Sequence, residues 1–293
     1  MHEDTKHGRR GGCTVKLCLN ATIGGYGNIH EFVARAKRHG YQAVEFSVEE
    51  IAGIIQQQGV NAARAIFEES GIEPVCFGLP VEWRKDHETL KEGLRELPRL
   101  ARAAQAIGCT RTATWLPPSI DEFPAAYSVR MAERFREIAR VLADFDVRLG
   151  LEWVGPATSR TRKYDWIHTM HQLLDFEMEI GAPNLGLLVD SFHWFCMEGA
   201  TEDLEQLTNQ QIVHVHINDA PNQPPREQND FQRLLPGEGV IDLVGFLRAL
   251  KKVGYDGGIA IEVFNEELKA MAPDEAVAKA KQAYDSVWQK AFG

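Results

Sequence analysis

The chain has 293 residues, with 42 acidic against 32 basic side chains, a formal charge of −10, and 44% hydrophobic residues. That length allows a closed core and one or two domains at ~100–200 residues each, and the acidic balance argues against a nucleic-acid scaffold, whose footprint is basic. No run of ~18 apolar residues occurs, so no transmembrane helix and no membrane partner is expected.

Residues 1–14 are polar and run through Arg9-Arg10-Gly11-Gly12 without an apolar core, which reads as a disordered tail. From residue 15 to 293, short apolar β-rich runs alternate with amphipathic stretches. Strands are expected at Val15–Asn20, Gln42–Phe46, Glu73–Gly78, Thr110–Trp115, Val147–Trp153, Leu185–Asp190, Ile212–Ile217 and Gly258–Phe264. Helices are expected to begin near Ile29, Ile51, His87, Pro124, Tyr164, Glu202, Leu243 and Glu266. Continuous apolar strands separated by helices indicate a parallel sheet covered on both faces. Eight such units predict an α/β fold, a single-domain (β/α)8 TIM barrel. Ile23-Gly24-Gly25-Tyr26-Gly27 lacks the G-x-G-x-x-G spacing of a dinucleotide loop and reads as a flexible connection.

Asp242 stands where a helix N-cap belongs, and Gly254 where a C′ glycine belongs. The longest connection without clear secondary structure runs from Asn218 to Val240; a loop of that length in a compact domain is usually functional. Five cysteines (Cys13, Cys18, Cys76, Cys109, Cys196) are widely spaced with no Cys-x-x-Cys, the usage of a cytoplasmic protein without a zinc knuckle or disulfide framework.

Side chains of a barrel strand alternate between the inside and the helix layer. In Ile259-Ala260-Ile261-Glu262-Val263 the branched residues share one face, so Glu262 points inward near the C-terminal mouth. The same parity turns Glu152 inward opposite Leu149 and Leu151, and Asp190 opposite Leu187 and Val189. It also turns His214 and His216 opposite Val213, Val215 and Ile217, with His216 nearer the mouth. The last four strands therefore each offer one ionisable group to the end that hosts active sites. Three carboxylates and an imidazole in one low-dielectric mouth repel and desolvate one another, and a bound divalent cation removes that problem. Oxygen-rich ligands with a single imidazole suit Mn²⁺, Mg²⁺ or Co²⁺, with Zn²⁺ also accepted. His214 reads as an inner-layer partner rather than a ligand. Glu45, which ends its strand inward, reads as a substrate contact or a structural ion pair.

Leu-Glu-Trp (151–153), Val-Asp-Ser-Phe-His (189–193), His-Val-His-Ile-Asn-Asp (214–219), Leu-Pro-Gly-Glu-Gly (235–239) and Ile-Glu-Val-Phe (261–264) together resemble the xylose isomerase-like barrel superfamily. Within it they are most similar to the sugar phosphate isomerase/epimerase branch, which includes inosose isomerases and ketose 3-epimerases. The resemblance implies one divalent metal ion, with manganese favoured, bound by Glu152, Asp190, His216 and Glu262. It further implies that Glu152 and Glu262 flank the substrate as acid/base groups. His193 and an arginine of the loop after the seventh strand would contact substrate oxygens, with Arg233 favoured and Arg226 the second choice. The implied partner is a small carbohydrate or cyclitol, and a homo-oligomer is not excluded.

The chemistry follows from the residue types. A carbonyl and an adjacent hydroxyl chelate the ion, which stabilises an enediolate, and carboxylates remove and return the proton next to the carbonyl. Aromatic residues near the strand ends (Phe46, Trp115, Trp153, Phe192, Trp194, Phe264) would wall the pocket, with Trp115 the best candidate to stack on a sugar. The absence of a phosphate-binding glycine motif favours an unphosphorylated keto-sugar or inosose.

A lyase on the same scaffold, of inosose or dehydroshikimate dehydratase type or cleaving C-glycosides, shares the first step and is the alternative. A non-catalytic carbohydrate-binding barrel would not require two acid/base glutamates. An apurinic endonuclease-like phosphodiesterase is more remote. Its resemblance calls for histidines after the third and fourth strands and an Asp-x-His in the long loop, where this chain has Phe77-Gly78-Leu79-Pro80, Trp115-Leu116-Pro117 and Phe231-Gln232-Arg233.

Overall fold

The computed structural model describes residues 15–293; the segment expected as a tail, 1–14, lies outside the described residues. Eight parallel strands close into a barrel: β1 (Lys16–Leu19), β2 (Ala43–Phe46), β3 (Glu73–Gly78), β4 (Arg111–Trp115), β5 (Arg148–Glu152), β6 (Leu185–Asp190), β7 (Ile212–Ile217) and β8 (Gly258–Ile261). Neighbours pair in sequence order, and Lys16 opposite Gly258 closes the ring between β1 and β8. This is the expected (β/α)8 architecture. No helix of the described residues is long and apolar enough to cross a membrane.

Alternation sorts the side chains as the sequence pattern requires. Leu17, Leu19, Val44, Leu149, Leu151, Leu187, Val189, Val215, Ile217, Ile259 and Ile261 join the main core between barrel and helices. The barrel interior is filled by smaller groups: Cys18, Ala43 and Ala260 form one cluster and Cys76, Ala113 and Leu188 another. Four of the cysteines are free and buried and act as small apolar fillers.

The helical layer comprises α1 (Ile29–Arg38), α2 (Val48–Gln58), α3 (Val60–Glu68), α4 (His87–Ala106), α5 (Pro124–Ala143), α6 (Met170–Ile180), α7 (Ser191–Cys196), α8 (Thr201–Glu205), α9 (Leu243–Lys252), α10 (Glu266–Ala270) and α11 (Pro273–Phe292). Five points differ from the sequence reading, the first being α3, a second helix between β2 and β3 where one was expected. Ser47 caps α2, so it starts at Val48 rather than Ile51. Tyr164 does not open a helix: Tyr164–Asp165 pairs antiparallel with Ser119–Ile120, and a Thr169/Gln172 capping box starts α6 at Met170. Between β6 and β7, α7 begins directly at Ser191 ahead of the expected helix, because Asp190 serves as its N-cap. The last expected helix splits into α10 and the long α11. The Asp242 carboxylate does accept the Gly245 amide at 2.9 Å, and Gly254 takes a left-handed φ of 74° after α9.

Glycine is required where β6 passes β7. A Cβ on Gly186 would stand 2.6 Å from the Gln211 carbonyl oxygen and 3.0 Å from Val213 Cγ2. Gly186→Ala is expected to cost about 1–3 kcal/mol through overpacking. Equilibrium urea unfolding checks this, and an unshifted midpoint would contradict the packing argument.

Candidate metal centre

Strands β5 to β8 deliver Glu152, Asp190, His216 and Glu262 to the C-terminal mouth. One donor atom from each lies within 4.8 Å of all the others. His216 Nδ1 stands 3.3 Å from Glu262 Oε2, 3.8 Å from Asp190 Oδ2 and 3.9 Å from Glu152 Oε1. Glu152 and Asp190 end their strands, and Glu262 follows β8 directly, its amide donating to the Ile217 carbonyl at 3.3 Å. Asp190 has two tasks. Its Oδ1 accepts the Phe192 and His193 amides at the head of α7, at 2.7 and 3.3 Å, which leaves Oδ2 facing the cluster. Asn218 Nδ2 steadies both oxygens at 3.1–3.2 Å.

Arg233 enters this cluster from the long loop and is 1% exposed. Its Nη1 donates to Asp190 Oδ2 and to Glu262 Oε2, both at 2.9 Å, while Nη2 donates to Asp230 Oδ1 at 2.8 Å. The guanidinium lies 5.2 and 4.9 Å from the rings of Phe192 and Phe264. His193 is buried beside it, with Nε2 accepting from Arg233 Nη2 at 3.2 Å and lying 3.9 Å from Glu152 Oε1.

The electrostatics follow from burial. Burial, with Asp190 and Glu262 beside it, raises the Glu152 carboxyl well above the usual carboxylate range. Burial also opposes ionisation of Glu262, but His216 and Arg233 outweigh it and hold that carboxyl below its usual value. Burial disfavours a His216 cation, and Glu262 and Glu45 overcome it and hold the imidazole well above its usual value. Burial lowers His193. Glu152 Oε1 and His216 Nδ1 are buried with no hydrogen-bond partner. Two unsatisfied donor atoms facing two further carboxylates are what a divalent cation would need, so the residues present fit one.

The remaining expectations divide. Trp115 stands at the mouth next to Glu152 in register and is 48% exposed, with one face under the Arg84 guanidinium at 4.1 Å. Arg226 is not brought to the mouth. Its side chain is 82% exposed and paired with Glu198 at 3.3 Å, because the short 3₁₀ turn Pro225–Glu227 carries it outward. Of the aromatic residues, Phe192 and Phe264 flank the site through Arg233. Phe46, Trp153 and Trp194 belong instead to the layer under the helices: Phe46 packs on Phe67 and Phe77, Trp194 on Phe246, and Trp153 Nε1 donates to the His193 carbonyl. Glu45 is an internal pair rather than a free group, bound to His214 and His216.

Sequence reasoning missed Asp219. Its Oδ1 accepts the Ala220 and Ile241 amides and its Oδ2 those of Gly237 and Gly239, all at 2.9 Å. Its own backbone exchanges two hydrogen bonds with Leu234. One side chain thus gathers the loop that carries Arg233. The available signal was an acid placed three residues after His216 and ahead of Pro-Gly-Glu-Gly.

A closed parallel barrel whose last four strands carry such a cluster defines a (β/α)8 protein with a candidate metal centre at its C-terminal mouth. Residues 33–287 match the family described as xylose isomerase-like TIM barrel, and the chain belongs to it. It is 25% identical over 284 residues to the inosose isomerase of Bacillus velezensis, covering 95% of this chain and 99% of that one. The structure of a xylose isomerase domain protein from Alicyclobacillus acidocaldarius superposes with a TM-score of 0.88 at 32% identity, over 96% of this chain and 100% of the other. The IOLI protein, solved with a binding zinc atom, superposes with a TM-score of 0.79 at 23% identity, over 95% of this chain and 100% of that one.

Asp219→Ala leaves four backbone donors without their acceptor. We expect a loss on the order of 3 kcal/mol in urea unfolding, and faster amide exchange at Gly237, Gly239 and Ile241. Unchanged exchange there would refute the loop-gathering role.

Proposed function

We propose that the protein is a divalent-metal-dependent isomerase or epimerase of a keto-sugar or inosose, acting by proton transfer next to a carbonyl. The observation that carries this reading is the convergence of Glu152, Asp190, His216 and Glu262, with unpartnered Glu152 Oε1 and His216 Nδ1 inside it. These four would hold one ion. The donor set favours manganese among oxygen-preferring ions, and the IOLI structure, solved with a binding zinc atom, supports a divalent ion. When bound, the ion supplies polarisation of a carbonyl and offsets the charge that develops on its oxygen.

The chain's own residues perform the proton work. Glu152 and Glu262 come from β5 and from the end of β8, so they reach a substrate from different sides of the mouth. One takes the proton from the carbon next to the carbonyl, and the same or the other carboxyl returns it, which gives isomerisation or epimerisation. His193 and Arg233 orient substrate oxygens, Arg233 by exchanging one of its N–H contacts to Asp190, Glu262, Asp230 or His193 for the substrate, and buried Phe192 with Phe264 keeps water from the guanidinium. Trp115 offers its uncovered face to the C–H side of a ring. The family assignment and the full-length similarity to inosose isomerase support an inosose or a ketose as substrate.

The test is metal analysis followed by incubation with ketoses and inososes in D₂O, read by NMR. One ion per chain and deuterium at the carbon next to the carbonyl are expected. Glu152→Gln and Glu262→Gln should each slow exchange about 10²–10⁴-fold, with bound metal measured in the same samples. Full turnover in both variants would refute the mechanism, and an enone product would replace isomerisation by dehydration on the same scaffold.

A further inference from the structure

Beside the four converging residues stands a second set, the half-buried Glu45 with the buried His214 and His216, that the proton chemistry above does not use. Glu45, near the end of β2, reaches across the barrel interior to β7. Its Oε1 lies 2.8 Å from His214 Nε2 and 3.0 Å from His216 Nε2. Its Oε2 accepts Asn20 Nδ2 at 2.8 Å, and Asn20 is itself anchored by the Thr22 amide on Oδ1 at 2.8 Å. The β2–β3 register shifts between Val44 and Glu45, an irregularity of the kind that re-aims a side chain. His214 and His216 meet edge to face, with ring centroids 5.3 Å apart and planes at 85°.

A carboxylate can only accept hydrogen bonds, so both imidazoles present N–H at Nε2. For His216 this decides which nitrogen is left for other work. In the neutral ring, a proton held on Nε2 leaves the lone pair on Nδ1. Nδ1 is the atom that faces Glu262, Asp190 and Glu152, and it has no hydrogen-bond partner. The side-chain hydrogen bonds of Glu45 go to the two imidazoles and to Asn20.

We propose that Glu45 is a positioning residue: by accepting Nε2–H it fixes the tautomer and ring orientation of His216, so that Nδ1 is presented as the ligating nitrogen. This rests on the reading of the four residues as a metal centre. His214 occupies the same oxygen from the deeper side and keeps the carboxylate from turning toward the mouth. A partner of this kind behind a ligating histidine contributes about 10–100-fold in metal affinity.

The experiment compares Mn²⁺ affinity by chelator competition in the full-length wild type, Glu45→Ala and Glu45→Gln, together with long-range ¹H–¹⁵N spectra of the zinc-loaded wild type. We expect one ion per chain, and a His216 signature with Nε2 protonated and Nδ1 ligated. Glu45→Ala should bind Mn²⁺ about 10–100-fold more weakly. Glu45→Gln should fall between, since its amide oxygen still accepts one N–H. Unchanged affinity in both variants, or zinc on Nε2 of His216, overturns the proposal and leaves the metal centre standing. A second ion per chain overturns it by making Glu45, His214 and His216 ligands in their own right, since they too lie within mutual ligating reach. A wild type that binds no ion removes the metal reading and this inference together. If Glu45→Ala does not fold, the zinc-loaded wild-type spectrum decides alone.

Discussion

Three inward carboxylates in one barrel mouth impose the constraint on which the rest of the structure depends. Glu152, Asp190 and Glu262 share a space from which bulk water is largely excluded, and like charges at that range cannot all ionise without compensation. The structure shows the available compensations side by side. Arg233 places one guanidinium nitrogen on Asp190 and Glu262 together. Burial and its acidic neighbours favour the protonated form of Glu152, while His216 is favoured as a cation. Arg233 is thus the fixed positive charge among the three carboxylates.

The two halves of the compensation ride on different parts of the fold. The ligating groups sit on or directly after strands, where the ladder fixes their directions, and Asp190 is held further by the first turn of α7. Arg233 sits on a loop, which would be a poor place for a buried charge if the loop were free. Asp219 removes that freedom. Its carboxylate gathers amides from both arms of the loop, and the backbone bridge to Leu234 places Arg233 immediately before the fixed point. Function and local stability therefore meet in the His-Val-His-Ile-Asn-Asp segment: His216 serves the mouth, Asn218 steadies Asp190, and Asp219 holds the loop.

Strand parity made the barrel and the convergence of its last four strands legible in the sequence. Period-two alternation of Leu, Ile and Val forces the intervening Glu, Asp and His inward, and no tertiary information is needed to see it. What parity does not encode is the reach of side chains across the interior. Glu45 could be placed inward, but its approach to two histidines on a strand far along the ring depends on a bulge and on small residues such as Ala43 and Ala260 leaving room. Arg226 and Arg233 were both plausible from position in the loop. The 3₁₀ turn at Pro225 sends one outward, and the Asp230 contact with the Asp219 bridge draws the other in. Tyr164 opens no helix because it pairs with Ile120 in a short antiparallel ladder, a long-range contact, and the Thr169–Gln172 pair that starts α6 lies farther on.

Charged side chains are used differently at the two ends of the barrel. At the N-terminal end, Arg111 donates to the Val213 carbonyl and to Asp256, and Arg148 donates to the Ile212 carbonyl, so charges there are spent on closing the barrel. At the C-terminal end, Glu152 Oε1 and the Nδ1 atoms of His193, His214 and His216 are buried among the described residues without partners. Side-chain atoms of Arg35, Arg84, Glu177 and Gln228 are also buried without partners among the described residues, so what marks the mouth is convergence rather than the presence of orphans. Two of the orphans, Glu152 Oε1 and His216 Nδ1, stand in the same cluster with Asp190 and Glu262, and the second ring nitrogen of His216 is already held by Glu45.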